Sequence, residues 1–130
     1  MDDQDAERIG HWMASSYGTP VDGASRHDEN GEKGKKSVVY RLKVPANGSY
    51  EVRVSYAAAS NRASNVPVTV QYVGGEKTVK VNQKKEPEIE GLFTSLGAFE
   101  FRADQPAIIT ISNEGTDGIV GADSVQLLRK

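Results

Sequence analysis

Apolar residues recur at every second position through most of this chain, and that period of two is what most limits its fold. The stretch "SVVYRLKV" sets Val38, Tyr40, Leu42 and Val44 on one side of an extended strand, with Val39, Arg41 and Lys43 on the other, mostly polar side. After the turn signal "PANG", Tyr50, Val52, Val54 and Tyr56 alternate with Glu51, Arg53 and Ser55. The same alternation runs through Val66, Val68, Val70 and Tyr72, reverses at Gly74–Gly75 into "KTVKVNQ", and returns in "LFTSLGAFEF", "AIITIS" and "IVGADSVQLL". A further short strand is expected from Ile9 to Trp12. No segment carries a helical stripe, and Gly or Pro punctuates the strands at roughly 8–12 residue intervals, the rhythm of an antiparallel sandwich. The expectation is an all-β, jelly-roll-like sandwich of two antiparallel sheets, about eight strands, with little or no helix.

A chain of 130 residues with 37% hydrophobic and 26% charged side chains can bury one core without a staple. The whole of residues 1–130 is expected to form one binding domain cut from a larger parent, because the acidic start "MDDQDAERIG" resembles no signal peptide. A net charge of −2 argues against nucleic acid, and no apolar run is long enough for a membrane span. With no cysteine there is no disulfide frame, thiolate metal site or cysteine nucleophile. His11 and His27 fall in different elements, no H-x-x-x-H pair occurs, and no G-x-S-x-G elbow is present. Without a nucleophile–base set the chain reads as a binding module rather than an enzyme.

Two long charged loops are expected, Asp22–Lys36 and Asn82–Gly91, where function is commonly placed on a rigid sandwich. Trp12, the single tryptophan, is read either as core packing or as a platform for a sugar ring. Tyr17, in "SSYG", offers a second ring, and "RHDEN" brings His27 and Asp28 as polar partners for hydroxyl groups. In "SNRAS", the Arg62 guanidinium either pins a long connection by bridging carbonyls or meets an anionic sugar at its rim. A ligand site is therefore expected at one loop end, formed by Trp12, Tyr17, His27, Asp28, Asn61, Arg62 and Phe93.

Taken in order, "IGHW", "SYG", "GSYEVRVSY", "SNRASNVPVTVQ", "VKVNQ", "LFTSLGAFEF" and "GIVGADSVQLL" resemble the golvesin / xanthan-lyase-type carbohydrate-binding domain. Domains of that type sit at the C-termini of large secreted bacterial proteins, including polysaccharide lyases and planctomycete-type FAD-dependent oxidoreductases. The resemblance implies a non-catalytic, monomeric, polysaccharide-binding module appended to a parent enzyme that is secreted, periplasmic or on the cell surface. Two positions depart from the family pattern: Phe93 stands where the family has Trp, and Val68 where it has an aromatic ring. These losses leave open the alternative of a structural or protein-interaction module that docks its parent without binding sugar. Carbohydrate-binding jelly rolls often carry a structural calcium where the first and last strands meet. The resemblance implies no other cofactor, and Asp3 and Asp5 with Asp123 are the ligands expected for that ion, beside the alternative that Asp123 clamps strands by hydrogen bonding.

Overall fold

A computed structural model describes residues 7–10, 12–15, 25–28, 31, 33–56, 58–89, 91 and 93–130. Among them there is no helix. The strands are β1 (Glu7–Ile9), β2 (Met13–Ser15), β3 (Ser25–His27), β4 (Ser37–Leu42), β5 (Gly48–Ser55), β6 (Val66–Tyr72), β7 (Gly75–Val81), β8 (Phe93–Phe101), β9 (Ala107–Ser112), β10 (Gly121–Ala122) and β11 (Val125–Arg129). A five-stranded antiparallel sheet has the order β1-β4-β9-β6-β7, and a three-stranded sheet the order β11-β5-β8. A second short sheet, β10-β3-β2, adjoins the latter through the two-residue step at Asp123–Ser124. The fold is the expected antiparallel sandwich.

The period-two reading places the core correctly. Tyr40, Ile109, Ile111, Val52, Val66 and Val70 are all buried between the sheets. Val68 is only 1% exposed in the same layer, so a larger ring there would pack the core rather than meet a ligand. Trp12 joins this core at 4% exposure and donates its indole N–H to Ile9 O at 3.1 Å. β5 and β8 pair with a slip at Val52/Arg53, where Leu96 and Gly97 form a bulge. Gly97 sits at φ +112°, a conformation side chains resist, which explains a glycine inside an apolar strand.

Three expectations need revision. The span Asp22–Lys36 is not all loop, because Ser25–His27 forms β3 between β2 and β10. The last strand is not continuous: it breaks at Asp123, and its halves pair in different sheets. The first strand lies at Glu7–Ile9, ahead of Trp12, and pairs with β4.

The registers give the sandwich two unlike ends. Ser37 opposite Ser112, Ser55 opposite Phe93 and Val66 opposite Val81 mark one end, which gathers the long connections. Leu42 opposite Ala107, Gly48 opposite Phe101 and Tyr72 opposite Gly75 mark the other, which carries short turns.

Candidate functional site

The alternation that fills the core also places polar groups at the loop end. Counting inward positions past the strand ends leads from Val38 to Lys36, from Val81 to Gln83 and from Ile111 to Asn113. All three are buried. A buried polar group is costly unless bonded, and here each one is.

Asn113 Oδ1 accepts the backbone N–H groups of Gly34 (3.0 Å) and Lys36 (3.2 Å). Its Nδ2 donates to Gly31 O and to Asp28 Oδ2, both at 3.0 Å. Asp28, fully buried, also receives the Val120 N–H on Oδ1 at 2.9 Å, while its own N–H donates to Val120 O at 3.0 Å. Lys33 Nζ donates to Asp28 Oδ2 (2.9 Å) and Gly118 O (2.6 Å), and Lys36 Nζ donates to Asp28 O (2.9 Å). The two lysine ammonium groups thus serve as tethered cations, Lys36 within the β3–β4 connection and Lys33 joining it to the β9–β10 connection.

A second brace works on the same segment from the other side. Gln83 holds Gly121 in a two-way amide clasp, donating from Nε2 to Gly121 O at 2.9 Å and accepting from Gly121 N at 2.7 Å. Arg62 forms a parallel bridge with Ile119. The neighbouring bonds are Ile119 N to Asn61 O (3.0 Å) and Ala63 N to Ile119 O (2.8 Å). A Cβ on Gly118 would stand 2.8 Å from Arg62 C and O, so only glycine lets these backbones approach. Asp117 receives the Ser64 N–H and hydroxyl, which hold its carboxyl below the usual range.

The described residues expected at the ligand site all belong to this end, but not at one depth. Asp28 and Arg62 are buried, at 0% and 5% exposure, and both are engaged within the protein. Trp12 belongs to the core described above. Asn61 is exposed, while His27 and Phe93 are half-buried. Phe93 exchanges backbone bonds with Ile89 at 2.9 and 3.1 Å, which ties the Asn82–Gly91 connection to β8. Beside it, the Tyr56 hydroxyl donates to Lys85 O at 2.9 Å, and burial pushes its pKa upward. Tyr17, Asp3 and Asp5 lie outside the described residues. Asp123 is 1% exposed, and its carbonyl accepts the Tyr40 hydroxyl at 3.2 Å. Among the described residues no three His, Cys, Asp or Glu side chains are grouped to hold a metal ion. Of the three expected calcium ligands, Asp123 alone is among the described residues.

The family model of the Golvesin C-terminal domain matches residues 1–129. The chain belongs to that family. It is 36% identical over 125 residues to the xanthan lyase of Bacillus sp. (strain GL1), covering 93% of this chain and 13% of that protein. The structure of Paenibacillus xanthan lyase superposes with a TM-score of 0.94 at 36% identity, over 100% of this chain and 13% of the other. This Golvesin C-terminal domain therefore spans a small part of the lyases it matches. A Family 35 carbohydrate binding module from Clostridium thermocellum shares the fold, with a TM-score of 0.68 at 15% identity over 98% of this chain and 96% of that one. Among the described residues no helix is long and apolar enough to cross a membrane.

Proposed function

We propose that this Golvesin C-terminal domain is a non-catalytic module that binds polysaccharide and holds a larger secreted enzyme on it. The observation that carries the reading is the whole-length likeness to a carbohydrate binding module of nearly the same extent. Membership of a family that matches a segment of xanthan lyase supports the attachment to a parent enzyme and the secreted location. The braced loop end supports the rest: Asp28, Asn113, Lys33 and Gln83 lock the connections so that little entropy is lost when a ligand docks. In this reading Tyr17, His27, Asn61 and Phe93 face the sugar, while Trp12, Asp28 and Arg62 hold the loops beneath. The domain acts as a monomer and takes no nucleic acid, in keeping with a net charge of −2.

One observation favours the docking alternative. Val68 lies in the core and Trp12 is buried, so the described loop end offers few open rings for stacking. Titration of the domain against neutral, uronic and sulfated polysaccharides separates the two. Sugar binding with Kd on the order of 10 µM to 1 mM supports the module reading. Silence across all three classes leaves docking to the parent. Tyr17→Ala and Asn61→Ala weaken any affinity housed at the loop end.

A further inference from the structure

An open recess lies at the opposite end of the sandwich. It holds about 470 Å³ and is lined by Gln71, Tyr72, Val73, Glu76, Arg102 and Gln105, with Phe101 as part of its wall. That volume lies within the range of small-ligand sites. Across Gln105 and Pro106 it adjoins a second recess of about 340 Å³, which reaches Arg41, Lys43 and Asp104. Adjoining recesses suit successive units of a polymer better than one compact molecule.

The polar groups of the two ends differ in what they are already doing. At the loop end Asp28, Lys33, Lys36, Gln83 and Asn113 spend their hydrogen-bonding capacity on one another and on backbone. In the first recess the side chains of Gln71, Tyr72, Glu76, Arg102 and Gln105 make no hydrogen bond or ion pair with any described residue. Gln71, Glu76, Arg102 and Gln105 line the recess and are exposed, so their donors and acceptors are open to solvent. The Tyr72 ring is held from two directions. It packs on Phe99 with centroids 5.2 Å apart and 51° between planes, and the Gly74 backbone lies so close that a Cβ there would stand 2.9 Å from the ring. A ring fixed before binding loses no rotamer freedom on contact. Val73 stands 43% exposed beside it, an apolar neighbour for the C–H face of a sugar.

We infer that this recess is a second glycan-binding site, taking a hexose unit of a polysaccharide with vicinal hydroxyl groups. The Glu76 carboxylate accepts from the diol, the Arg102 fork and the Gln71 and Gln105 amides donate to ring and hydroxyl oxygens, and the Tyr72–Val73 surface carries the C–H face. The inference rests on the reading that the domain binds polysaccharide, but not on the location of binding at the loop end.

The test is a two-dimensional NMR titration of the ¹⁵N-labelled full chain with xanthan-derived oligosaccharides and with β-1,3-galactotriose, repeated on Arg102→Ala/Gln105→Ala. These two side chains are exposed and bear no internal bond, so the variant keeps the fold. The inference expects backbone shifts at Val73–Glu76 and Arg102–Pro106, and about a tenfold loss of affinity in the variant. Shifts confined to the loop end, with affinity unchanged in the variant, overturn the second site and leave the module reading standing. No shifts with either oligosaccharide overturn the second site, while the module reading falls only on silence across the neutral, uronic and sulfated polysaccharides.

Discussion

Replacing Asp28 by Ala removes three acceptor contacts at once and isolates what braces the loop end. The Val120 N–H and one N–H of the Asn113 amide would be left buried without their partner, the other amide N–H keeping Gly31 O. An orphaned buried donor costs about 1–3 kcal/mol, so the two together cost roughly 2–6 kcal/mol. The Lys33 ion pair adds little, because that side chain is 27% exposed and keeps Gly118 O as a partner. For a domain of this size the loss corresponds to a fall in Tm of roughly 8–24 °C at about 4 °C per kcal/mol. Asp28→Asn retains one acceptor oxygen and should lose about half as much. Urea unfolding followed by the fluorescence of Trp12, buried in the native core, reads the change as a shift in midpoint at constant slope. A loss below about 1 kcal/mol for Asp28→Ala would refute the idea that this carboxylate holds the loops together.

Gly118→Ala should cost about 1–3 kcal/mol in the same assay, because the new Cβ meets Arg62 backbone that is held by the Ile119 bridge; an unchanged midpoint would show that the two backbones can separate freely. Glu51 is lowered from 4.5 to about 2, first by the Ser95 hydroxyl and then by Arg53, with Lys130 also near at 3.3 Å. Its contribution is therefore complete above the unfolded value near 4.5 and fades as pH falls toward about 2, so Glu51→Gln should flatten stability across that interval, measured by acid titration of the midpoint. The clamp reading of Asp123 predicts the same Tm in excess EDTA as in millimolar calcium; a rise with calcium would assign an ion to Asp123 and the N-terminal aspartates instead.

The sandwich was legible because alternation is local: Val38, Tyr40, Leu42 and Val44 can be counted inward from their neighbours alone, while the burial of Val39 on the other side of the strand cannot. β3 was hidden because its three residues, flanked by Gly and charges, carry no alternation of their own. The polar brace left a signal that counting can recover, since Lys36, Gln83 and Asn113 continue the inward parity of β4, β7 and β9. The role of Asp28 left none. Its partners Asn113 and Val120 lie 85 and 92 positions away, so a side chain that looks like a solvent-facing loop carboxylate is an internal acceptor. The recess at the turn end was invisible for a similar reason. Tyr72 ends β6, Arg102 follows β8, and only closure of the sandwich brings them to one wall. Phe93 and Val68 show the opposite error, in which two departures from a family pattern read as one kind of loss. Val68 is a core position, and Phe93 alone stands near the loop surface.

Isothermal titration of the full chain with neutral, uronic and sulfated polysaccharides, paired with the chain length of each polymer after prolonged incubation, tests the central claim most directly. The account predicts saturable heat with at least one class and no shortening of any polymer. Absence of heat with every class, or a polymer cut by the isolated domain, would contradict it.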